Sequence, residues 1–384
     1  MTAMGIKHLK SRIFAAAVLL LIVFSLVRIQ DSRASASMPY VNAFSVTKLP
    51  KSYPSMEAFF ASLRNTGANT VIIDLPMTDA GFPAMNVIPN VVYLAHQAGF
   101  KLFVVLPTRR LDGPLSKHDD WEDMRYDLSS ERYERTGKLD LFQQPAVDYL
   151  AALAKELAAF SVDAVLLGRD FSYGPTEGMS RFAVNDASQR LGSDLHPSKL
   201  YRKIENGPDG PFVRNFTELF QRWTALKRDR LLAVYQAIAK SVHTANSTVK
   251  VGIPVPITYP LMNTGEIFTQ HSYDMNAFRN LNVDYFWTGI PYRALQKQQG
   301  LSNRQTTELV SRIAHAAVTA SKDAAKTIIV VPMADENASQ NYPFSEIEEI
   351  TALIKQAGET GRAYGINPGV SVNREFTNKL FRRQ

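Results

Sequence analysis

The sequence predicts an α/β chain folded as one (β/α)8-type barrel. Three observations predict it: eight short runs rich in β-branched residues, longer stretches of helical period between them, and proline at or just past the end of most runs. With 384 residues, 45% hydrophobic and 21% charged, the chain is large enough for one decorated barrel with a sizeable core. The runs fall at 40–46, 69–75, 101–106, 163–168, 249–253, 284–288, 327–331 and 363–366, the last being the least regular. Eight parallel strands close a barrel, and strands buried on both faces read as near-continuous apolar runs.

Helices are expected at 55–65, 87–97, 146–160, 212–244, 303–321 and 344–356. Gly67, Gly99 and Gly358 stand just past the helical pattern, and Pro145 and Pro343 near its start, as helix punctuation requires. The helix from Ala146 places Tyr149, Leu150, Leu153, Leu157 and Phe160 on one face, which is core packing. Pro76, Pro107, Pro254, Pro291, Pro332 and Pro368 mark strand ends, because proline cannot continue a parallel ladder. Those ends ring the active face of a barrel. Two connections, 108–144 and 170–211, are too long for plain turns and are expected to wall a groove. Within the second, 193–211 is rich in Gly, Pro and charge and reads as a mobile stretch.

The N-terminus assigns a compartment. Lys7, Lys10 and Arg12 precede an apolar run over 13–27, the basic and hydrophobic regions of an export signal. Ala34-Ser35-Ala36 offers a cleavage site, but it lies beyond Arg28, Asp31 and Arg33, so residues 1–36 read as either a signal peptide or a retained membrane anchor. Residues 38–384 form the single barrel domain, expected in the periplasm or elsewhere outside the cytoplasm. The formal charge is +7, of which the leader supplies five basic and one acidic side chains, so +3 remains for the barrel. So small a charge gives no nucleic-acid surface. The sequence has no cysteine, which excludes disulfides and thiolate chemistry. The seven histidines form no HxH or HExxH pattern, and GxGxxG, GxxxxGK[ST] and GxSxG are missing, so neither a metal nor a cofactor is implied.

The chemistry is carried by acids near strand ends. Asp170 follows the fourth run and Glu177 lies seven residues on. A carboxyl pair at a rim is what glycosidic cleavage needs, one to protonate the leaving oxygen and one to stabilise or attack the anomeric carbon. Acids after strands also commonly serve as helix caps. Asp74, Tyr173, Trp287, Tyr292 and Asn367 are the expected substrate contacts, the aromatic rings as sugar platforms or else as packing at the mouth. Asp335 and Glu336 read as solvated loop charges.

Six segments in order carry a resemblance: Gly67-Ala-Asn-Thr-Val-Ile-Ile-Asp-Leu; Ala98-Gly-Phe-Lys-Leu-Phe-Val-Val-Leu-Pro; Asp140-Leu-Phe-Gln-Gln-Pro-Ala-Val; Val162-Asp-Ala-Val-Leu-Leu-Gly-Arg-Asp170 with Glu177; Arg222-Trp-Thr-Ala-Leu-Lys; and Trp287-Thr-Gly-Ile-Pro-Tyr. The chain resembles the C-terminal glycoside-hydrolase-like domain of bacterial poly-β-1,6-N-acetylglucosamine deacetylases, enzymes of biofilm exopolysaccharide, over about residues 42–300. The resemblance implies a polysaccharide ligand, export or synthase components as partners, and acids after the fourth strand as catalysts. Asp170 and Glu177 match two of the four acids expected there, whereas Arg169 and Pro175 replace the others. Gly252-Ile253 stands where that family has an Arg-Asn pair, and Arg293 where it often has an acid. Two readings follow: a glycan-processing enzyme, or a barrel that binds polymer or a synthase without cleaving. A small-metabolite enzyme would instead need a closed pocket.

Overall fold

A computed structural model describes residues 40–47, 49–50, 53–74, 85–207, 210–257, 262, 264–334, 341–366 and 374–381. The leader, Asp335, Glu336 and Asn367 lie outside the described residues. Among the described residues no helix is long and apolar enough to cross a membrane. From Val41 onward the chain forms one compact unit.

Every one of the eight runs is a barrel strand. They are β1 (Asn42–Val46), β2 (Thr70–Asp74), β3 (Lys101–Leu106), β6 (Ala164–Leu167), β9 (Lys250–Pro254), β10 (Tyr285–Gly289), β11 (Thr327–Pro332) and β12 (Gly361–Gly365). They pair in that order, all parallel, and β12 closes on β1. Closure leaves no open sheet edge. All four residues of β6 and the last five of β3 are buried, as strands between a filled interior and a helical shell must be.

The two long connections each carry an antiparallel hairpin, β4 (Glu122–Asp127) with β5 (Arg132–Leu139), and β7 (Tyr201–Gly207) with β8 (Gly210–Phe216). The 193–211 stretch holds the helix Pro197–Leu200 and strand β7. One expected boundary is corrected. The helix expected at 212–244 starts instead at Glu218, where Thr217 Oγ1 accepts the amide of Phe220 at 3.2 Å and Glu218 supplies a first-turn acid. Before that cap, Phe212 and Val213 face β7 in strand register, an apolar pattern too short to separate helix from strand by period alone. The helix Gln144–Ala159 buries Leu150, Leu153 and Leu157 and packs against Glu218–Ala245.

The insertions are joined to one another on the side of the strand C-termini. The Tyr126 amide donates to Thr176 O at 2.9 Å and the Met179 amide to Met124 O at 2.9 Å, so 174–179 runs along β4. A second apolar cluster, with Phe220, Trp223, Leu200 and Val213, fills the space beneath the β7–β8 hairpin.

Gly252 is hemmed in by the neighbouring strands: a Cβ there would lie 2.5 Å from Leu166 Cδ2 and 3.1 Å from Tyr285 Cβ and from the Tyr285 carbonyl. Gly252→Ala is therefore expected to cost about 1–3 kcal/mol through overpacking, read as a lower urea midpoint at unchanged slope.

Candidate active site

Asp170 turns back from the end of β6 onto the loop after β3. Its carboxylate accepts the amides of Thr108 (3.1 Å to each oxygen), Arg109 (2.6 Å) and Arg110 (2.6 Å), and the Thr108 hydroxyl at 3.0 Å. Only a glycine permits this turn, since a Cβ at Gly168 would sit 2.5 Å from Asp170 Oδ1. Three successive backbone amides form an anion nest, here filled by the protein's own carboxylate. Four donors meet the roughly four acceptor positions of a carboxylate, so Asp170 ties two rim loops together.

Glu177 is held in a buried ionic network. Arg109 Nη1 donates to Glu177 Oε2 at 2.6 Å and Nη2 to Asp123 Oδ2 at 2.5 Å, while Lys138 Nζ bonds Glu177 Oε1. Arg109 also donates to the carbonyls of Leu139 (3.2 Å) and Ser172 (2.5 Å), and its guanidinium lies 4.0 Å from the Tyr173 ring centre. Lys227 closes the network from the long helix, donating to Gly174 O at 3.0 Å. Burial alone would raise the Glu177 carboxyl, but Arg109 and Lys138 outweigh it and hold the group well below the usual carboxylate range. Burial pulls the Lys227 ammonium down to about 7 against the attraction of Glu177 and Asp123. Glu177 is thus an ionised anchor between β5, the 174–179 loop and the barrel. Asp170 and Glu177, expected from the sequence as a catalytic pair, both accept hydrogen bonds from the protein itself.

Asp74 is different. It ends β2 at the mouth, half-buried, and that burial raises its carboxyl above the usual range; Arg169 opposes the rise and Asp170 adds to it. Beside it, Arg169 lies 5.1 Å from the Trp287 ring centre and flat against Gly289, where a Cβ would be 2.6 Å from Nη2. A cavity of about 220 Å³ opens here, lined by Arg169, Phe171, Ser172, Val255, His271 and Thr288. Burial lowers the His271 imidazole, keeping it neutral at pH 7.

The aromatic residues expected as sugar platforms are buried. Trp287 is 2% exposed and donates Nε1–H to Leu167 O at 2.9 Å; Tyr292 is 2% exposed and packs edge-on against Tyr342; Tyr173 is 0% exposed, with its hydroxyl accepting the Leu141 amide at 3.0 Å. Their faces fill the mouth. Arg293 is paired, its Nε and Nη2 bonding Glu346 at 2.7 and 2.5 Å in a wide groove between the helices after β10 and β11. Among the described residues no cluster of His, Asp and Glu has the makings of a metal site.

No protein-family model and no curated protein sequence matches the chain. The glycoside hydrolase domain of PgaB (BpsB) from Bordetella bronchiseptica is similar over 85% of this chain and 94% of its own, with TM-score 0.60 and 14% identity. The barrel shares the fold of that domain. The catalytic domain of β-amylase from Paenibacillus polymyxa is also similar, over 90% of this chain and 98% of its own, with TM-score 0.57 and 12% identity. A β-galactosidase from Bacillus circulans matches with TM-score 0.58 and 10% identity over 90% of this chain but 56% of its own.

Sequence reasoning missed Arg109, Asp123, Lys227 and His271. A signal for Lys227 was present: it lies on the stripe Phe220, Trp223, Thr224, Leu231, Val234, where a lysine on an apolar face needs a buried partner. Arg109 gave no such signal, because an Arg-Arg pair after a strand looks like an ordinary exposed loop.

Proposed function

We propose that this barrel processes an exopolysaccharide outside the cytoplasm, with the C-terminal mouth as its site and Asp74 as the proton donor. Asp74 carries the reading: it is a strand-end carboxyl raised by burial, at the position where barrel enzymes keep their catalysts. Protonated Asp74 gives its proton to the glycosidic oxygen as the C1–O bond breaks. The acetamido oxygen of the substrate bonds C1 in its place; water then attacks C1, opening that ring and giving its proton back to Asp74, so the sugar leaves with its acetamido group intact, a substrate-assisted course open to polymers of the poly-N-acetylglucosamine type. Asp170 and Glu177 are positioning residues in this scheme, holding the loops that frame the mouth. The leader over 1–36 would carry the barrel to the membrane, beside components of polymer synthesis or export.

A second reading is polymer binding without cleavage. It is favoured by the internal use of both Asp170 and Glu177, which leaves no second ionised carboxylate of that loop aimed at a substrate. The test incubates the protein with purified poly-N-acetylglucosamine and its partly deacetylated form and measures new reducing ends in solution. Release from the fully acetylated polymer is the expected result. Retention on the polymer without release would replace the enzyme by the binding reading, and neither retention nor release would remove both.

A further inference from the structure

Arg109 and Arg293 each meet a carboxylate at bonding distance, but Arg169 does not. Among the described residues its guanidinium has no ion pair and no hydrogen bond; what it has is the Trp287 ring 5.1 Å away and the bare backbone of Gly289. These two surfaces lie against the exposed group, and its N–H edges stay unused beside the 220 Å³ cavity. An arginine carries five donors in a rigid fork that fits a carboxylate at two points. The nearby acids do not satisfy it. Asp170 is turned onto the 108–110 amides, and Asp74 acts on Arg169 through its charge without an ion pair or hydrogen bond between them.

We infer that the mouth is a subsite for an acidic sugar, in which Arg169 takes the carboxylate of a uronic-acid unit within a polymer that also carries acetamido sugars. This rests on the glycan-processing reading and adds the charge class of the substrate. The cavity suits one sugar ring. Pro254, Val255 and Pro256 offer C–H surface to a pyranose face, while Ser172 and Thr288 stand among the lining residues as partners for its hydroxyls. A deacetylated, cationic aminosugar would meet like charge at the same place and be rejected.

The test uses the full-length protein and three probes: a hyaluronan hexasaccharide, which alternates glucuronate with N-acetylglucosamine; the same hexasaccharide with its carboxylates reduced to alcohols; and a partly deacetylated poly-N-acetylglucosamine oligomer. Calorimetric titration is expected to show the native hexasaccharide binding about 10- to 100-fold more tightly than the reduced form, the range for a charge-assisted pair. The preference is expected to weaken with added salt. Arg169→Met keeps the aliphatic stem and removes the fork, and it should erase the preference with the circular dichroism spectrum unchanged. Gly289→Ala is an independent probe: its new Cβ would lie 2.6 Å from Nη2, so the movable end of Arg169 must leave its seat while the strand stays. Equal affinity for the native and reduced hexasaccharides, or a preference that survives Arg169→Met, would overturn the inference and leave the glycan reading standing. Failure of all three probes to bind would remove the glycan reading as well.

Discussion

Asp74→Asn is expected to slow polymer cleavage by about 100- to 10,000-fold, the usual contribution of a positioned acid, with polymer affinity changed only a few-fold. The amide keeps the shape and much of the hydrogen bonding of the carboxyl but has no proton to give. The pH dependence carries the sign of the assignment. The Asp74 carboxyl is raised above its ordinary 3.8 by burial, so activity should fall as pH rises through that raised value, and this alkaline limb should vanish in the variant. Stability gives a second readout. A folded state that binds this proton more tightly than the unfolded chain is most favoured at low pH, and it loses stability as pH rises from 3.8 through the raised value. Asp74→Asn removes that loss, so the variant should be no less stable at neutral pH than the parent, and more stable if nothing else changes. Lower activity with equal or higher stability is the mark of a catalytic carboxyl; lower activity with lower stability would mean that Asp74 only holds the mouth together.

Arg109→Met is expected to destabilise the protein by about 3–5 kcal/mol, the range for removing one member of a buried ion pair. Arg109 has no exposed surface, and its loss leaves Asp123 buried against its own kind, with Asp140 and Glu177 near enough to repel. Methionine fills most of the space, so the cost is electrostatic rather than a cavity. The deficit should narrow in acid. In the parent, the depressed Glu177 carboxyl contributes stability above its ordinary 4.5 that is lost as pH falls through its lower folded value, and removing Arg109 takes away the part of that contribution that Lys138 does not supply. Urea unfolding at pH 7 and pH 4 checks both statements, and equal deficits at the two pH values would contradict the network as described.

How far sequence anticipated structure depended on where the stabilising contacts lie. The barrel strands were legible because a strand buried on both faces is apolar throughout, as Val-Leu-Leu of β6 and Leu-Phe-Val-Val-Leu of β3 are. The hairpins were not, because β5 reads Arg-Tyr-Glu-Arg-Thr-Gly-Lys-Leu and is half exposed, which in sequence is a polar loop. Asp170 could be located but its partners could not. A carboxylate after a strand looks the same whether it faces a substrate or three amides 60 residues away, and only the turn at Gly168 tells them apart. The ionic network joins positions 109, 123, 138, 177 and 227, and no local pattern links residues so far apart.

That network also governs how the rim comes apart. Because one guanidinium touches β5, the 170–179 segment and β4 at once, neither insertion can leave the barrel without stranding the other's charges. Among the described residues the two insertions are therefore held as one cooperative unit.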